Sequence, residues 1–282
     1  MHGLGNDFVV IDARTGKPGA GVAISAAQAS AIADRRTGVG CDQFIIIGDA
    51  PGGEANEGVD AFMRIRNADG GEVDACGNAT RCIGAVLLDE SGKDTVLIRT
   101  GADLLTVTRA GYGLVTVDMG VARVGWDEIP LSAEADTLHL DLSRGPLSDP
   151  AAASMGNPHA TFFVDDAEAV AIAEYGPGLE HDPIFPERAN IGVAQILAPD
   201  RMRLRVWERG VGLTSACGTG ACAAVVNAHR RGLAGRRMVV VVDGGELLID
   251  WREDRPGGAG RVFMTGPAET SFSGALTLGV LS

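Results

Sequence analysis

Short strand-like runs, many of them alternating apolar with polar residues, recur along this chain, bounded by Gly, Pro, Asp and Asn. They predict strands at residues 44–47, 61–66, 95–99, 104–108 and 114–118, and again at 161–164, 202–207, 238–242 and 247–251. Helical periodicity is scarcer. Residues 25–35 are Ala-rich with Ser25 as an N-cap, and residues 165–174 carry Asp165 and Glu168 at capping-box spacing, so both stretches are expected to be helices. Two further runs, Cys82-Ile83-Gly84-Ala85-Val86-Leu87-Leu88 and Ala221-Cys222-Ala223-Ala224-Val225-Val226, have almost no polar face. A helix that is apolar all round is buried on every side. Each is therefore expected at the centre of a curved sheet, stopped by Gly92 and Gly232. Strands and helices do not alternate, so the fold class is α+β with mostly antiparallel sheets, not doubly wound α/β.

The pattern also repeats. Gly5-Asn6-Asp7-Phe8-Val9-Val10-Ile11-Asp12 is similar to Gly156-Asn157-Pro158-His159-Ala160-Thr161-Phe162-Phe163-Val164-Asp165. Gly40-Cys41-Asp42-Gln43-Phe44-Ile45 is similar to Gly192-Val193-Ala194-Gln195-Ile196-Leu197. Then come two cysteine motifs, Ala75-Cys76-Gly77-Asn78 and Ala216-Cys217-Gly218-Thr219. Each opens one of the apolar runs, and each stands nine residues after a polar residue that closes a strand-like stretch, Asn67 or Glu208. Three collinear matches indicate a duplication with a boundary near Gly120. The expected domains are 1–119, joined by a C-terminal segment 265–282, and 120–264.

Composition narrows the chemistry. The 282 residues suffice for two domains. With 45% hydrophobic but only 5% aromatic residues, the cores must be aliphatic. A net charge of −13 opposes nucleic-acid binding, which needs a basic face. No apolar run reaches the roughly 18 residues of a membrane span, and the N-terminus lacks a secretory pattern. Five cysteines do not form a disulfide framework, and neither a Cys-x-x-Cys nor a zinc spacing is present, so no metal is expected. These features point to a cytoplasmic protein with reduced thiols and no membrane partner.

A cysteine at a helix N-terminus is expected to have a lowered pKa, and the N–H groups of Gly77, Asn78, Gly218 and Thr219 suit a carboxylate. If a substrate carbon lies between two thiols, the thiolate removes a proton from one face while the thiol returns one to the other. The carbon inverts without a cofactor. This design needs unequal protonation of two similar sites, so each thiol should have its own tuning group; His159 and Glu208 are the candidates. Cys82 and Cys222 lie six and five residues beyond these thiols, turned away on the helix, and read as packing, as does Cys41. His139 and His229 read as surface residues. Arg209, at a strand end before a cysteine helix, suits a carboxylate. Asn6, Asn67, Asn157 and Asn190 are ordinary turn residues singly, but as a set they suit a zwitterion.

Together, His2-Gly3-Leu4-Gly5-Asn6-Asp7-Phe8, Asn67-Ala68-Asp69-Gly70, Cys76-Gly77-Asn78, Gly156-Asn157-Pro158-His159, Glu187-Arg188-Ala189-Asn190, Glu208-Arg209-Gly210 and Ala216-Cys217-Gly218-Thr219-Gly220 closely resemble the diaminopimelate epimerase family. The resemblance implies interconversion of LL- and meso-diaminopimelate in lysine and peptidoglycan precursor synthesis, without a cofactor. It implies Cys76 and Cys217 as the acid/base pair, modulated by His159 and Glu208. Substrate would be held by Asn6, Gln43, Asn67, Asn157, Asn190 and Arg209, and by the backbone of Gly77, Asn78, Gly218 and Thr219. The implied fold is two similar α+β domains, each a sheet curled around a helix, with the segment from about Phe263 returning to the first domain. A homodimer is implied as well.

Two departures stand out. Ala79 replaces the family's usual Gly, which adds a methyl with little expected effect. The chain also starts at the Met of the first motif, so the first strand is expected to be short or the true start to lie upstream. Proline and hydroxyproline racemases are the nearest alternatives, but they bind a small ring and would not need Arg209 with several Asn residues. Phenazine-type isomerases lack the cysteine pair. A thiol redox protein is the alternative of another class. Thiols flanking one carbon are also expected to join as a disulfide when the site is empty and oxidised, and the halves are expected to close over substrate. The Asn and Arg residues around the thiols are read as unmatched between halves.

Overall fold

Each of the nine runs becomes a strand, most of them extended by a residue or more at one or both ends, though Val164 falls just outside its own. The computed structural model describes residues 1–53, 57–73, 76–253 and 260–276. Ala75 of the first cysteine motif and the end of the expected C-terminal return, 277–282, lie outside them. Two compact units emerge, Met1–Val117 completed by the chain from Gly266, and Asp118–Thr265. The first holds β1 (His2–Gly3), β2 (Asn6–Asp12), α1 (Ala26–Ala33), β3 (Gln43–Gly48), β4 (Ala61–Asn67) and β5 (Glu72–Val73). There follow α2 (Gly77–Ser91), β6 (Thr95–Arg99), β7 (Leu104–Gly111) and β8 (Leu114–Val121), within which the chain leaves the unit. The second holds β9 (Ser143–Arg144), β10 (Leu147–Ser148), β11 (Ala151–Ser154), β12 (Pro158–Phe163), α3 (Ile172–Glu180) and β13 (Asn190–Ala198). Then come β14 (Arg201–Glu208), β15 (Gly212–Thr214), α4 (Gly218–Arg230), β16 (Arg237–Val242), β17 (Gly245–Arg252) and β18 (Arg261–Pro267).

The strand order is β1-β2-β3-β4-β6-β7-β8 in the first unit and β11-β12-β13-β14-β16-β17-β18 in the second, with β5 on β4 and β15 on β14. The pairing senses repeat too. β2/β3 and β4/β6 are parallel, as are β12/β13 and β14/β16. The other described pairs of these orders are antiparallel. One topology is therefore built twice, which is the structural form of the sequence repeat.

Both cysteine helices are buried as their composition requires. α4 is buried at all but one position from Gly218 to Ala228, and α2 buries Cys82, Ile83, Gly84, Leu87 and Leu88. Each large aliphatic side chain so buried contributes about 1.5–3 kcal/mol. α2 packs against β7 so closely that a Cβ on Gly84 would lie 2.4 Å from Cγ1 of Val107, so only glycine fits there. Gly92 caps α2 in the left-handed region at φ 67°, as its position in the sequence suggests.

Two expectations change, and β13 is a strand that the sequence pattern did not announce. The helix expected at 165–174 forms instead at Ile172–Glu180. Asp166 Oδ1 accepts from the N–H groups of Glu168 and Ala169 and closes a turn there. The real helix is disguised by Gly176, Pro177 and Gly178. β13 carries no alternation because its first five residues are all buried. Finally, His229 is partly buried, not a surface residue: its ring meets Trp251 edge-on at 5.6 Å, and Nδ1 lies 3.1 Å from the Ala234 carbonyl.

Candidate active site

Each cysteine is the N-cap of its helix, with extended backbone and its sulfur as the capping acceptor. Cys76 Sγ receives the Ala79 N–H at 3.5 Å, and Cys217 Sγ receives the Gly220 N–H at 3.4 Å. The capping place normally held by Ser, Thr, Asp or Asn is held here by a thiol. The N–H groups of the first helical residues have no partner within the helix. They are those of Gly77 and Asn78 in the first unit, and of Gly218 and Thr219 in the second.

In the first unit, a chain of side chains leads to Cys76. Arg81, fully buried on α2, donates from Nη1 to Asn78 Oδ1 at 2.9 Å and from Nε to the Pro267 carbonyl at 3.3 Å. Asn78 Nδ2 donates to Asn6 Oδ1 at 3.2 Å, and the Cys76 thiol faces the same oxygen at 3.8 Å. Asn6 Nδ2 donates to Asp42 Oδ2 at 3.0 Å. Guanidinium is donor-only and carboxylate acceptor-only. Both ends of the chain therefore demand the same amide orientations, and a carbonyl oxygen is turned towards Cys76. Arg35 ties Asp42 to Asp7, whose carboxyl it holds below the usual range against the opposing effect of burial, with help from hydrogen bonds from the Asp42 region. Alongside, Gln43 Nε2 donates to Asn67 Oδ1 at 3.0 Å, while Gln43 Oε1 is buried without a partner among the described residues.

The second unit has the same frame with different ends. Asn157 Nδ2 donates to Thr219 Oγ1 at 3.4 Å, and that hydroxyl lies 3.6 Å from Cys217 Sγ. Asn157 Oδ1 faces His159 Nε2 at 2.9 Å, which requires the Nε2–H tautomer. Burial, reinforced by the Arg209 charge, pushes the His159 pKa down to about 3, so this ring is neutral at physiological pH. Cys217 is pushed well above the ordinary thiol value by burial first and the adjacent Glu208 carboxylate second, while Thr219 and the Gly220 N–H act in the opposite sense. The helix end alone was expected to lower this pKa; desolvation wins. Glu208 also accepts from Thr214 Oγ1. Asn190 is tied to main chain on both sides: Oδ1 accepts from the Arg209 N–H at 2.9 Å and Nδ2 donates to the Pro158 carbonyl at 3.1 Å. Arg209 Nη1 reaches the Glu187 carbonyl at 2.9 Å.

Strand register shows which positions correspond. Phe8 pairs with Gln43 as His159 pairs with Asn190. Gln43 pairs with Asn67, and Glu208 is the next residue beyond the Ile191–Trp207 pair, opposite Asn190. The counterpart of Gln43 is therefore Asn190, not Gln195 as the sequence match suggests. Gln195 Oε1 instead accepts from the Ala167 N–H. Contrary to the sequence reading, Asn6 and Asn157, and Gln43 and Asn190, are matched. The unmatched pairs are Phe8 with His159 and Asn67 with Glu208. Both expected tuning groups are thus carried on second-unit strands.

Sequence reasoning overlooked Asp42, Arg81 and Thr214. Asp42 and Arg81 each adjoin a residue that was singled out, Gln43 and Cys82, which was the available signal. The remaining cysteines behave as packing residues. Burial pushes Cys82 up to about 12 and raises Cys41, and none of the five cysteines is joined in a disulfide. Among the described residues, no cluster of His, Cys, Asp and Glu could hold a metal ion, and no helix is long and apolar enough to cross a membrane.

The family described as diaminopimelate epimerase matches residues 1–125 and 151–271. A diaminopimelate epimerase of Acidiphilium cryptum is 56% identical over the whole of this chain and 96% of its own length. One of Rhodospirillum centenum is 53% identical over 98% of this chain and 91% of its own. Among solved structures, a phenazine biosynthesis protein of the PhzF family from Bacillus anthracis matches with TM-score 0.64 at 17% identity, covering 95% of this chain and 92% of its own. A hydroxyproline epimerase from Agrobacterium vitis matches with TM-score 0.62 at 16% identity, covering 94% and 87%. These last two share the fold.

Proposed function

The chain belongs to the diaminopimelate epimerase family, and from that premise we propose that Cys76 and Cys217 are the two bases of a cofactor-independent epimerisation. The reaction is the epimerisation of diaminopimelate, LL to meso, and the protein is an isomerase. What carries the two-base reading is that one topology, built twice, ends each time in a cysteine capping a buried helix.

In one direction, Cys76 as thiolate takes the α-proton. The electron pair of the broken C–H bond spreads into the substrate carboxylate, and the Cys217 thiol gives its proton to the opposite face. Cys76 ends as thiol and Cys217 as thiolate, and the reverse reaction exchanges the roles. Burial and Glu208 keep Cys217 protonated at rest, which suits it to begin as the acid. Each general acid or base step contributes about 10²–10⁴-fold. Helix-end N–H groups of Gly77, Asn78, Gly218 and Thr219 stabilise the charge that develops on the carboxylate. His159, neutral and bonded to Asn157, orients the second helix end without adding charge. The buried, unpartnered Gln43 Oε1 suits a substrate ammonium. Arg209 serves a carboxylate, and Asn6, Asn67, Asn157 and Asn190 complete the zwitterion site, Asn190 by holding the Arg209 backbone.

We read the protein as a cytoplasmic homodimer in lysine and peptidoglycan precursor synthesis. Its chemistry needs reduced thiols, which that compartment maintains. The decisive measurement is incubation with LL-diaminopimelate in heavy water under reducing conditions. Deuterium should enter one α-carbon without added metal or pyridoxal phosphate. No exchange would sink the assignment.

A further inference from the structure

Glu180, the last residue of α3, is 3% exposed and has no part in the chemistry above. Its carboxylate is nevertheless a junction. Oε2 accepts the Trp207 indole N–H at 2.8 Å, and Oε1 accepts the Gly210 backbone N–H at 2.9 Å and Arg188 Nη1 at 3.5 Å. Its own backbone carbonyl accepts the Ala189 N–H at 3.2 Å. Trp207 and Gly210 bracket Glu208 and Arg209 in the chain, and Arg188 and Ala189 immediately precede Asn190. One buried residue thus grips two of the segments that carry second-unit site residues.

Both segments need gripping. Gly210 is left-handed at φ 74° in a turn closed by the Val211 N–H to the Glu208 carbonyl at 3.1 Å. Arg188 is left-handed at φ 60° although it has a side chain, a conformation that surrounding contacts must hold. We propose that Glu180 is a positioning residue of the reaction: it fixes the Trp207–Gly210 turn against the Arg188–Asn190 segment, and so sets the aim of the Glu208 carboxylate and the Arg209 guanidinium. This rests on the reading of Glu208 and Arg209 as site residues. A carboxylate is suited to the task because both of its oxygens accept. A glutamine would turn an NH₂ group towards either the indole N–H or the Gly210 N–H, donor against donor.

The test compares Glu180→Gln, Arg209→Met and the double variant in steady-state epimerisation. Cys217 alkylation is followed in each by peptide mass spectrometry, with fully buried Cys222 as the internal control for loosening. Glu180→Gln should raise KM about ten-fold and lower kcat. Added to Arg209→Met, it should worsen KM by less than about two-fold, because both changes spoil one contact. It should also speed Cys217 alkylation, as removal of the Glu208 charge is expected to do, with Cys222 unchanged. Multiplicative KM effects with Cys217 alkylation at the wild-type rate would overturn the proposal. If Arg209→Met alone leaves KM untouched, the substrate role of Arg209 fails. The alkylation result then decides the positioning role by itself. Should Glu180→Gln not fold, Trp207→Phe, which removes one donor, must shift KM and alkylation in the same directions; wild-type values there overturn the proposal too.

Discussion

At Asn6 a side-chain carbonyl is turned towards the helix end and Cys76, whereas at its counterpart Asn157 the amide nitrogen is turned towards the helix end and Thr219. The backbones that carry these two asparagines are equivalent, and so are the cysteines beyond them. What differs is the far end of each chain of hydrogen bonds: an acceptor-only carboxylate, Asp42, in one unit, and a histidine N–H, from His159, in the other. The titratable positions differ in the same way, with Phe8 and Asn67 in the first unit where the second has His159 and Glu208. Duplication supplies two equal sulfurs, but epimerisation requires that they be unequal at every instant. Here the inequality comes from side chains one step away, while the cysteines and their helices stay alike.

That comparison can be broken most forcefully at the sulfurs. Cys76→Ala and Cys217→Ala should each lower turnover by about 10²–10⁴-fold or more with the fold intact; near-normal turnover in either, by steady-state assay, would leave a one-base enzyme. Next, Glu208→Asn gives the second unit the residue type of the first. Turnover should fall by about ten-fold or more, and Cys217 should alkylate faster at fixed pH, because the carboxylate that disfavours its thiolate is gone. An unchanged alkylation rate would contradict this.

His159→Phe makes the units alike at another position, and its effect is read in stability. The folded pKa of His159, about 3, lies below the ordinary 6.5, so the unfolded chain binds the proton more readily. Its contribution is complete above pH 6.5 and is lost as pH falls towards 3, at up to about 1.4 kcal/mol per pH unit. Urea titrations across that range should show a shallower acid decline in the variant; parallel curves would refute the assignment. The smallest effect is expected from Asp42→Asn. It removes one of the two ends that orient Asn6 and should speed Cys76 alkylation by about two-fold, since Arg81 still holds the other end.

Much of this was legible in the sequence for identifiable reasons. The cysteine helices announce themselves because burial on all sides strips them of polar residues. Several of the nine runs were legible because one face is the more buried, as along β14 and β16, where buried residues alternate with more accessible ones. Where both faces are buried, as at the start of β13, alternation vanishes and the strand goes unread. α3 is hidden by two glycines and a proline that tertiary contacts tolerate. The repeat was recognised, but at Gln43 in the wrong register by five residues, since Gln195 matches in letter and Asn190 in place. Glu180 gave no signal whatever: a glutamate at the end of a helix is ordinarily solvated, and only the fold brings an indole and a bare peptide N–H to it.

A sulfur that caps a helix cannot change its charge without changing the helix. An anion at a helix N-terminus is stabilising by about 0.3–1 kcal/mol, and by up to about 2 in a partly buried setting. Each turnover that moves negative charge from Cys76 to Cys217 therefore weakens the hold on α2 and tightens the hold on α4. The reverse reaction does the opposite. Amide exchange near the two helix ends should then drift in contrary directions as substrate and product are mixed, making the two capped ends a seesaw whose tilt reports where the proton is.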